Sequence, residues 1–332
     1  MERTEVLDFL QRHALIGADD PFEITPLTGG VSSDIVRIDL VDRSICLKRA
    51  LPTLRVAGHW AADVRRNAHE VEWLRVAQRI VPDSVPRVLA ADDVAHLFAM
   101  PYFDPAQHRV WKTELLAGRV ERGFAARVMR LVAIVHGATA HDATLARRFA
   151  HDDDFADLRL NPYLDATATA NPIVTEILRE IRSRTANTRH ALVHGDVSPK
   201  NVLMGPSGPV LLDAECAWYG DPAFDIAFCL NHLLLKCLLH AEAIPALLEE
   251  FISAVDAYAA LCNFEPWREL QSRTAQLLPA LMLARVDGLS PVEYLRDARL
   301  RSIVRDFAIV QLRDPVTELP ELSVRWRAAL GA

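Results

Sequence analysis

The stretch that most constrains this chain runs from Ala191 to Glu215. Two short apolar runs, Ala191-Leu192-Val193 and Val210-Leu211-Leu212, read as strands. Each delivers polar groups at its C-terminal end: His194, Asp196 and Asn201 after the first, Asp213 and Glu215 after the second. Three carboxylates and an amide so close together need a compensating partner, because clustered like charges repel. A divalent cation is the usual one. Asn201, Asp213 and Glu215 offer hard oxygen atoms only, which suits Mg2+ and not a metal that prefers thiolate or imidazole. Asp196 is then left to accept a proton from an attacking hydroxyl, or to orient it.

The spacing sharpens this reading. His194-x-Asp196-x-x-x-x-Asn201, with Asp213 seventeen residues beyond Asp196, resembles the catalytic loop and metal-binding aspartate of kinases. Gly195 stands where protein kinases keep an arginine, and Asp213-Ala214-Glu215 stands where they keep Asp-Phe-Gly. With those departures, the run from His194 to Asn201 and the later Gly220-Asp221-Pro222-Ala223-Phe224-Asp225 resemble the aminoglycoside phosphotransferase and choline kinase-like family, across about residues 24–235. The segment Leu158-Arg159-Leu160-Asn161-Pro162-Tyr163 resembles one in methylthioribose kinases of the same group.

The resemblance implies an α+β, protein-kinase-like two-lobe fold. A nucleotide-binding lobe with an antiparallel sheet would span 1–101, and a mainly helical lobe with the catalytic loop and acceptor pocket would span 102–332. The implied reaction is ATP- and Mg2+-dependent transfer of the γ-phosphate to a hydroxyl of a small metabolite: a sugar, an amino alcohol or similar. An aminoglycoside antibiotic is the alternative acceptor. A catalytically inactive fold that binds nucleotide or a partner is the rival from another class, and the presence of Lys48, Asp196, Asn201 and Asp213 speaks against it. A protein kinase is disfavoured, since 213–221 leaves little room for a peptide-docking loop. Gly195 in place of arginine implies activity without prior phosphorylation of the protein.

The N-terminal third supplies matching parts. Val6, Leu7, Leu10 and Ala14 fall at helical spacing. Thr28-Gly29-Gly30-Val31-Ser32-Ser33 then separates two apolar runs, a strand–turn–strand in which backbone N–H groups can approach phosphate oxygens and Ser32 and Ser33 can add hydroxyls. Lys48 closes the strand Ser44–Lys48 and matches the lysine that steadies the α- and β-phosphates. A helix over 61–79 follows, carrying Glu70 and Glu72. Their directions differ by about 200°, so only one can face Lys48, and Glu70 is the favoured partner. Strands over 86–91 and 95–100 lead into Met100-Pro101-Tyr102-Phe103, which the resemblance makes the hinge whose backbone reads the adenine edge.

Helical periodicity dominates beyond this point. Phe124, Val128, Leu131, Val132 and Val135 mark one long helix, and further helices are expected over 243–262, 266–287, 290–311 and 317–330. His136 and His141 read as capping or surface residues, with spacing too poor for chelation. Asp152, Asp153, Asp154 and Asp157 read as a solvated helix start, or else as a binding site for an amine. Asp225 sits in an apolar helix and needs strong hydrogen bonds; the backbone of the His194 loop can supply them. His194 and Asp225 are thus scaffolding, with Asp221 in a looser version of that role. Arg285, Asp287 and the Ser290–Tyr294 segment form either a salt-bridged corner or part of the acceptor cleft.

Composition excludes little but agrees. Charged residues make up 24 % and the net charge is −7, which argues against nucleic acid and anionic membrane as partners. The apolar run 226–239 is interrupted by Asn231, His232 and Lys236 and is too short to span a bilayer. Five cysteines without a C-x-x-C pair and a polar start after Met1 suggest a cytoplasmic protein with reduced thiols. A homodimer is compatible with the sequence.

Overall fold

A computed structural model describes residues 1–27, 32–53 and 63–332. The expected glycine turn at Gly29 and Gly30 lies outside the described residues. Helix α1 (Arg3–Arg12) precedes strands β1 (Glu23–Pro26), β2 (Ser33–Asp39) and β3 (Ser44–Ala50). Helix α2 (Arg66–Ile80) and strands β4 (Ala90–Asp92) and β5 (Leu97–Pro101) follow. The strands form one antiparallel sheet in the order β1-β2-β3-β5-β4. Val36, Ile38, Ile45, Leu47 and Ala99 cover one face, and α1 seals it with Val6, Phe9 and Leu10. Strand β3 is central, so residues on both its faces are buried, and this carries Lys48 into the interior. Helix α2 packs the other way: Trp73, Leu74 and Ala77, with Phe98 of β5, belong to the larger core shared with the helical lobe.

The rest of the two-lobe fold is mainly helical. It contains β6 (Arg109–Val110), α3 (Trp111–Leu116), α4 (Phe124–Thr139), α5 (Ala143–Arg148) and α6 (Asp152–Phe155). A π-helical segment, Ala156–Asp165, runs into α7 (Ala166–Ala170), and α8 (Thr175–Asn187) follows. Pro162 lies inside that segment and has no N–H to donate, which favours its wider turn. Strands β7 (Ala191–Val193), β8 (Val202–Gly205), β9 (Gly208–Leu211) and β10 (Trp218–Gly220) come next. β7 pairs with β10, and β8 pairs with β9 and β6. These short pairings hold the two polar loops of the Ala191–Glu215 stretch side by side. Helix α9 (Ala223–Lys236) is buried along its whole length. Helices α10 (Ile244–Ala259), α11 (Trp267–Asp287), α12 (Ala298–Arg313) and α13 (Leu319–Ala329) surround it.

Helix boundaries depart from expectation at two places, and at the first the helix expected over 61–79 begins only at Arg66. The helix expected over 290–311 begins only at Ala298. Pro291 biases Ser290 away from helical geometry, and Asp297 caps the new start by accepting from the Arg299 N–H. Among the described residues no helix is long and apolar enough to cross a membrane, and all five cysteines are free thiols.

Candidate active site

The loop after β7 is held from beneath by one carboxylate. Asp225, wholly buried in α9, accepts from the backbone N–H of His194 and of Gly195, each at 2.8 Å. Its Oδ2 also faces His136 Nε2 at 3.1 Å, and His136 Nδ1 lies 2.7 Å from the Tyr258 hydroxyl. The imidazole therefore donates through Nε2 and accepts from tyrosine through Nδ1. His136 is not the surface or capping residue the sequence suggested: the apolar face of α4 turns it inward, 1 % exposed. The His194 ring spans the loop itself, meeting the Leu212 carbonyl through Nε2 and receiving the Asp196 N–H at Nδ1. Trp73 of α2 meets that ring edge-on at 4.7 Å.

Gly195 has a steric reason to be glycine. Its φ is +77°, and a Cβ there would lie 2.4 Å from the Cys216 carbonyl oxygen. An arginine cannot occupy this position without moving the backbone that carries Asp213 and Glu215.

Lys48 meets Glu70 through both carboxylate oxygens, at 2.6 and 2.8 Å, and also reaches Asp213. Glu72 faces the other way, onto Arg148 and Arg75. Burial disfavours the charged Lys48 ammonium, but Asp213, Glu70 and Glu215 outweigh it and hold the pKa above the ordinary value. Asp213 itself has φ +66°, a left-handed conformation a short polar side chain tolerates. Burial pushes its carboxyl up, but Lys48 and Lys200 pull it below the usual range.

Glu215 is placed differently from Asp213. Its Oε2 accepts from Arg66 Nε at 3.0 Å, and Arg66 also donates to the carbonyls of Ser32, Leu51 and Asp63. Arg66, which the sequence reading missed, ties α2 to the strand ends and to the Asp213 loop. A cation on Glu215 would share it with Arg66. Ser33 Oγ is buried without a partner among the described residues.

Asp196 Oδ2 accepts from Arg159 Nη2 at 2.9 Å and from Lys200 Nζ at 3.0 Å. Its Oδ1 is buried without a partner among the described residues. Burial opposes ionisation, yet Lys200 and Arg159 hold the carboxyl far below its usual range. Arg159, in the π-helical segment, also donates to the Gly195 carbonyl at 2.6 Å. The Leu158–Tyr163 segment that resembles methylthioribose kinases contains it, but the sequence assigns Arg159 itself no role. Asn201 Nδ2 donates to the Asp196 carbonyl at 3.1 Å, which leaves the amide oxygen as its other polar atom.

A family model described as "Phosphotransferase enzyme family" (APH) matches residues 23–261. The chain belongs to this family. Within curated proteins, methylthioribose kinase 2 of Oryza sativa subsp. japonica is 25 % identical over 221 residues, 58 % of this chain and 51 % of that protein. The methylthioribose kinase of Bacillus cereus is 23 % identical over 235 residues, 63 % of this chain and 59 % of that protein. The chain thus spans about half the length of the curated relatives it matches. Among solved structures, a putative aminoglycoside phosphotransferase from Ralstonia eutropha superposes with a TM-score of 0.57 at 13 % identity, covering 100 % and 99 % of the two chains. A choline/ethanolamine kinase family protein from Mesorhizobium loti gives 0.52 at 18 % identity over the whole of both chains. Amicoumacin kinase hAmiN, in complex with AMP-PNP, Ca2+ and Ami, gives 0.54 at 16 %, covering 96 % and 95 %. At these identities the likeness is one of fold.

The remaining site residues fall as follows. Met100 pairs with Cys46 inside the sheet, and the Tyr102 N–H is engaged with the Ser44 carbonyl at 3.2 Å. The tyrosine ring lies under Arg37 at 4.5 Å. Tyr102 therefore has no amide to spare for an adenine edge. Asp221 does not support the catalytic loop; it accepts from Ala223 N–H at the start of α9 and binds Arg273 at 3.1–3.3 Å. Asp152 accepts from Trp218 Nε1 at 2.9 Å, and Asp154 lies 3.6 Å from His69, so the acidic run is a helix start with partners. Asp287 binds Arg305, forming the salt-bridged corner.

Proposed function

We propose that this family member is an ATP- and Mg2+-dependent small-molecule kinase that phosphorylates a hydroxyl group. One observation carries the proposal: Asp196 presents a buried, unpartnered Oδ1 beside the Asn201 amide, with the Lys48–Glu70–Asp213 ion cluster completing the set. A buried polar atom without a partner is costly, and an acceptor hydroxyl would relieve it.

The donor set fits a hard cation. Asn201 Oδ1 and Asp213 would hold Mg2+, with Glu215 available if Arg66 shares it. The ion would neutralise charge on the phosphate oxygens. Lys48, held charged by its acids, would bind the α- and β-phosphates. Asp196 would receive the hydroxyl's hydrogen bond on Oδ1 while Arg159 and Lys200 fix Oδ2. Because those cations hold its pKa so low, Asp196 acts chiefly by aligning the nucleophile and accepts the proton late.

The test is ADP release with Mg-ATP over a panel of methylthioribose, homoserine, hexoses, amino sugars, choline, ethanolamine and aminoglycosides. The relatives' names place methylthioribose first in the panel. One acceptor should raise the rate by orders of magnitude and fail to do so in Asp196→Ala. Absence of Mg2+-dependent ATP binding would refute the kinase reading.

A further inference from the structure

Helix α9 carries a row of side chains four residues apart: Phe224, Phe228, His232 and Lys236. Four-residue spacing places them along one face, each about 6 Å beyond the last. The row starts next to the catalytic machinery. Phe228 lies 5.6 Å from the Arg159 guanidinium, which itself grips Asp196, and 5.7 Å from the His232 ring. At its far end, Lys236 lies 4.5 Å over the Tyr294 ring and 3.5 Å from its hydroxyl. Arg285 of α11 reaches the same region, donating to the Tyr163 hydroxyl and to Ser290 Oγ, both at 2.9 Å.

What this region lacks is negative charge. Lys236 is 1 % exposed and His232 6 % exposed. Among the described residues, neither Lys236 nor Arg285 has a carboxylate within ion-pair distance. His232 Nδ1 and Arg285 Nε are buried and have no hydrogen-bond partner among the described residues. The acids that act on this region are already engaged: Glu293 is taken by Lys112 at 2.5 Å, and Asp196 by Arg159 and Lys200. Burial and the neighbouring Lys112 press the Lys236 pKa down to about 7, and burial with Lys236 and Arg285 lowers that of His232. A fold does not retain a buried lysine without a counter-ion for stability's sake, since an apolar residue of similar volume is cheaper there. An anionic ligand would supply the missing counter-charge and restore the proton that burial weakens on Lys236.

We infer that the acceptor is an anion: a hydroxyl compound whose carboxylate or phosphate group is received by Lys236, His232 and Arg285 while its hydroxyl meets Asp196. The inference rests on the kinase reading for the hydroxyl's role and on this basic row for the acceptor's charge. It runs against the amine-bearing acceptor that was one reading of the Asp152–Asp154 run. Those aspartates face Trp218, Arg189 and His69.

Matched pairs test it. ADP release is measured with glycerate against glycerol, gluconate against glucitol, and glycerol 3-phosphate against glycerol, with choline and ethanolamine as the cationic arm. An anionic member should exceed its neutral partner in kcat/KM by about 10- to 100-fold, the worth of a charged hydrogen bond. Lys236→Met should erase that preference, Lys236→Arg should keep it, and Mg-ATP affinity should not change in either. Lys236→Met should also melt higher than wild type, which separates lost binding from lost folding. Better turnover of neutral or cationic acceptors overturns the inference. If nothing in the panel turns over, melting temperature decides: anions that raise wild type no more than Lys236→Met overturn it. Mg2+-dependent ATP binding, lost in Asp213→Asn, reports separately on the kinase reading.

Discussion

The carboxylate beneath the catalytic loop permits a worked test. Asp225 receives three donors: the N–H groups of His194 and Gly195 and His136 Nε2. Asp225→Asn leaves one oxygen and one amide nitrogen. His136 can adapt by changing tautomer, because the Tyr258 hydroxyl is able to accept as well as donate. The two backbone amides cannot adapt, since they flank the two different carboxylate oxygens. One of them must face the new NH2 group. The loss is a charge-assisted hydrogen bond plus an unsatisfied buried donor, about 2–4 kcal/mol. Asp225→Ala strands both amides and should cost about 3–5 kcal/mol, a large share of a total of roughly 5–15 kcal/mol. Urea unfolding would read these costs. Steady-state kinetics on the folded variants should show a fall in kcat, because the loop carries Asp196. A double-mutant cycle locates the effect: His136→Phe should cost less in the Asp225→Ala background than in wild type by about 1 kcal/mol. Additive effects, or an Asp225→Asn protein with unchanged stability and kcat, would refute the proposed support.

Four further outcomes follow from the same geometry. Gly195→Ala meets the Cys216 carbonyl and a positive φ, so it should destabilise by about 2 kcal/mol or more and lower activity beyond that, readable by melting and by kcat. Arg159→Met removes a cation from Asp196, so the acid limb of the kcat–pH profile should move upward; an unmoved limb would show that Arg159 does not tune this carboxylate. Lys48→Met should weaken Mg-ATP binding and kcat together while the fold survives, since Arg66 still anchors α2. Burial lowers the pKa of His69 to about 3, and those of His151 and His194 fall too. The fold keeps these rings neutral while the unfolded chain protonates them below about 6.5, so stability should drop as pH falls from 7 to 5; His69→Gln should flatten that slope in urea titrations.

The parts of the site legible in the sequence are those whose chemistry and spacing lie within one short segment. His194, Asp196, Asn201 and Asp213 fall on two loops joined by a single hairpin, so sequence distance bounds spatial distance. Lys48 and Glu70 were legible because a central strand followed by one helix leaves few ways to pair them. Asp225 was legible because a carboxylate in an apolar helix demands donors. His136 was not, because helical periodicity gives its face but not the carboxylate that face would meet. The roles of Arg159 and Arg66 were hidden for a related reason: each arrives from a separate element, and although the segment holding Arg159 carries a resemblance, nothing in it says which carboxylate that arginine meets. Tyr102 was assigned by position alone, and strand pairing with Ser44 removed its amide.

Lys236 is the instructive case. In the sequence, His232 and Lys236 look like interruptions that rule out a membrane span, and they do. Yet His232 and Lys236, four apart in a helix built mostly from apolar residues, mark a polar line through a core. Net charge carries no sign of this line, because the −7 is summed over the whole chain. Acids gather on the side of the site where Lys48 and Arg66 bind Glu70, Asp213 and Glu215. Cations gather on the side where Arg159, Lys200, Lys236 and Arg285 stand, with the His232 ring kept neutral among them, and Asp196 lies at the junction. On the proposed kinase reading, a phosphoryl group passing to the acceptor would approach the second side, where positive charge is already in place. The same cations that would hold an anionic acceptor therefore also oppose the charge building on the transferred group, and a neutralising Lys236→Met substitution should depress kcat as well as raise KM.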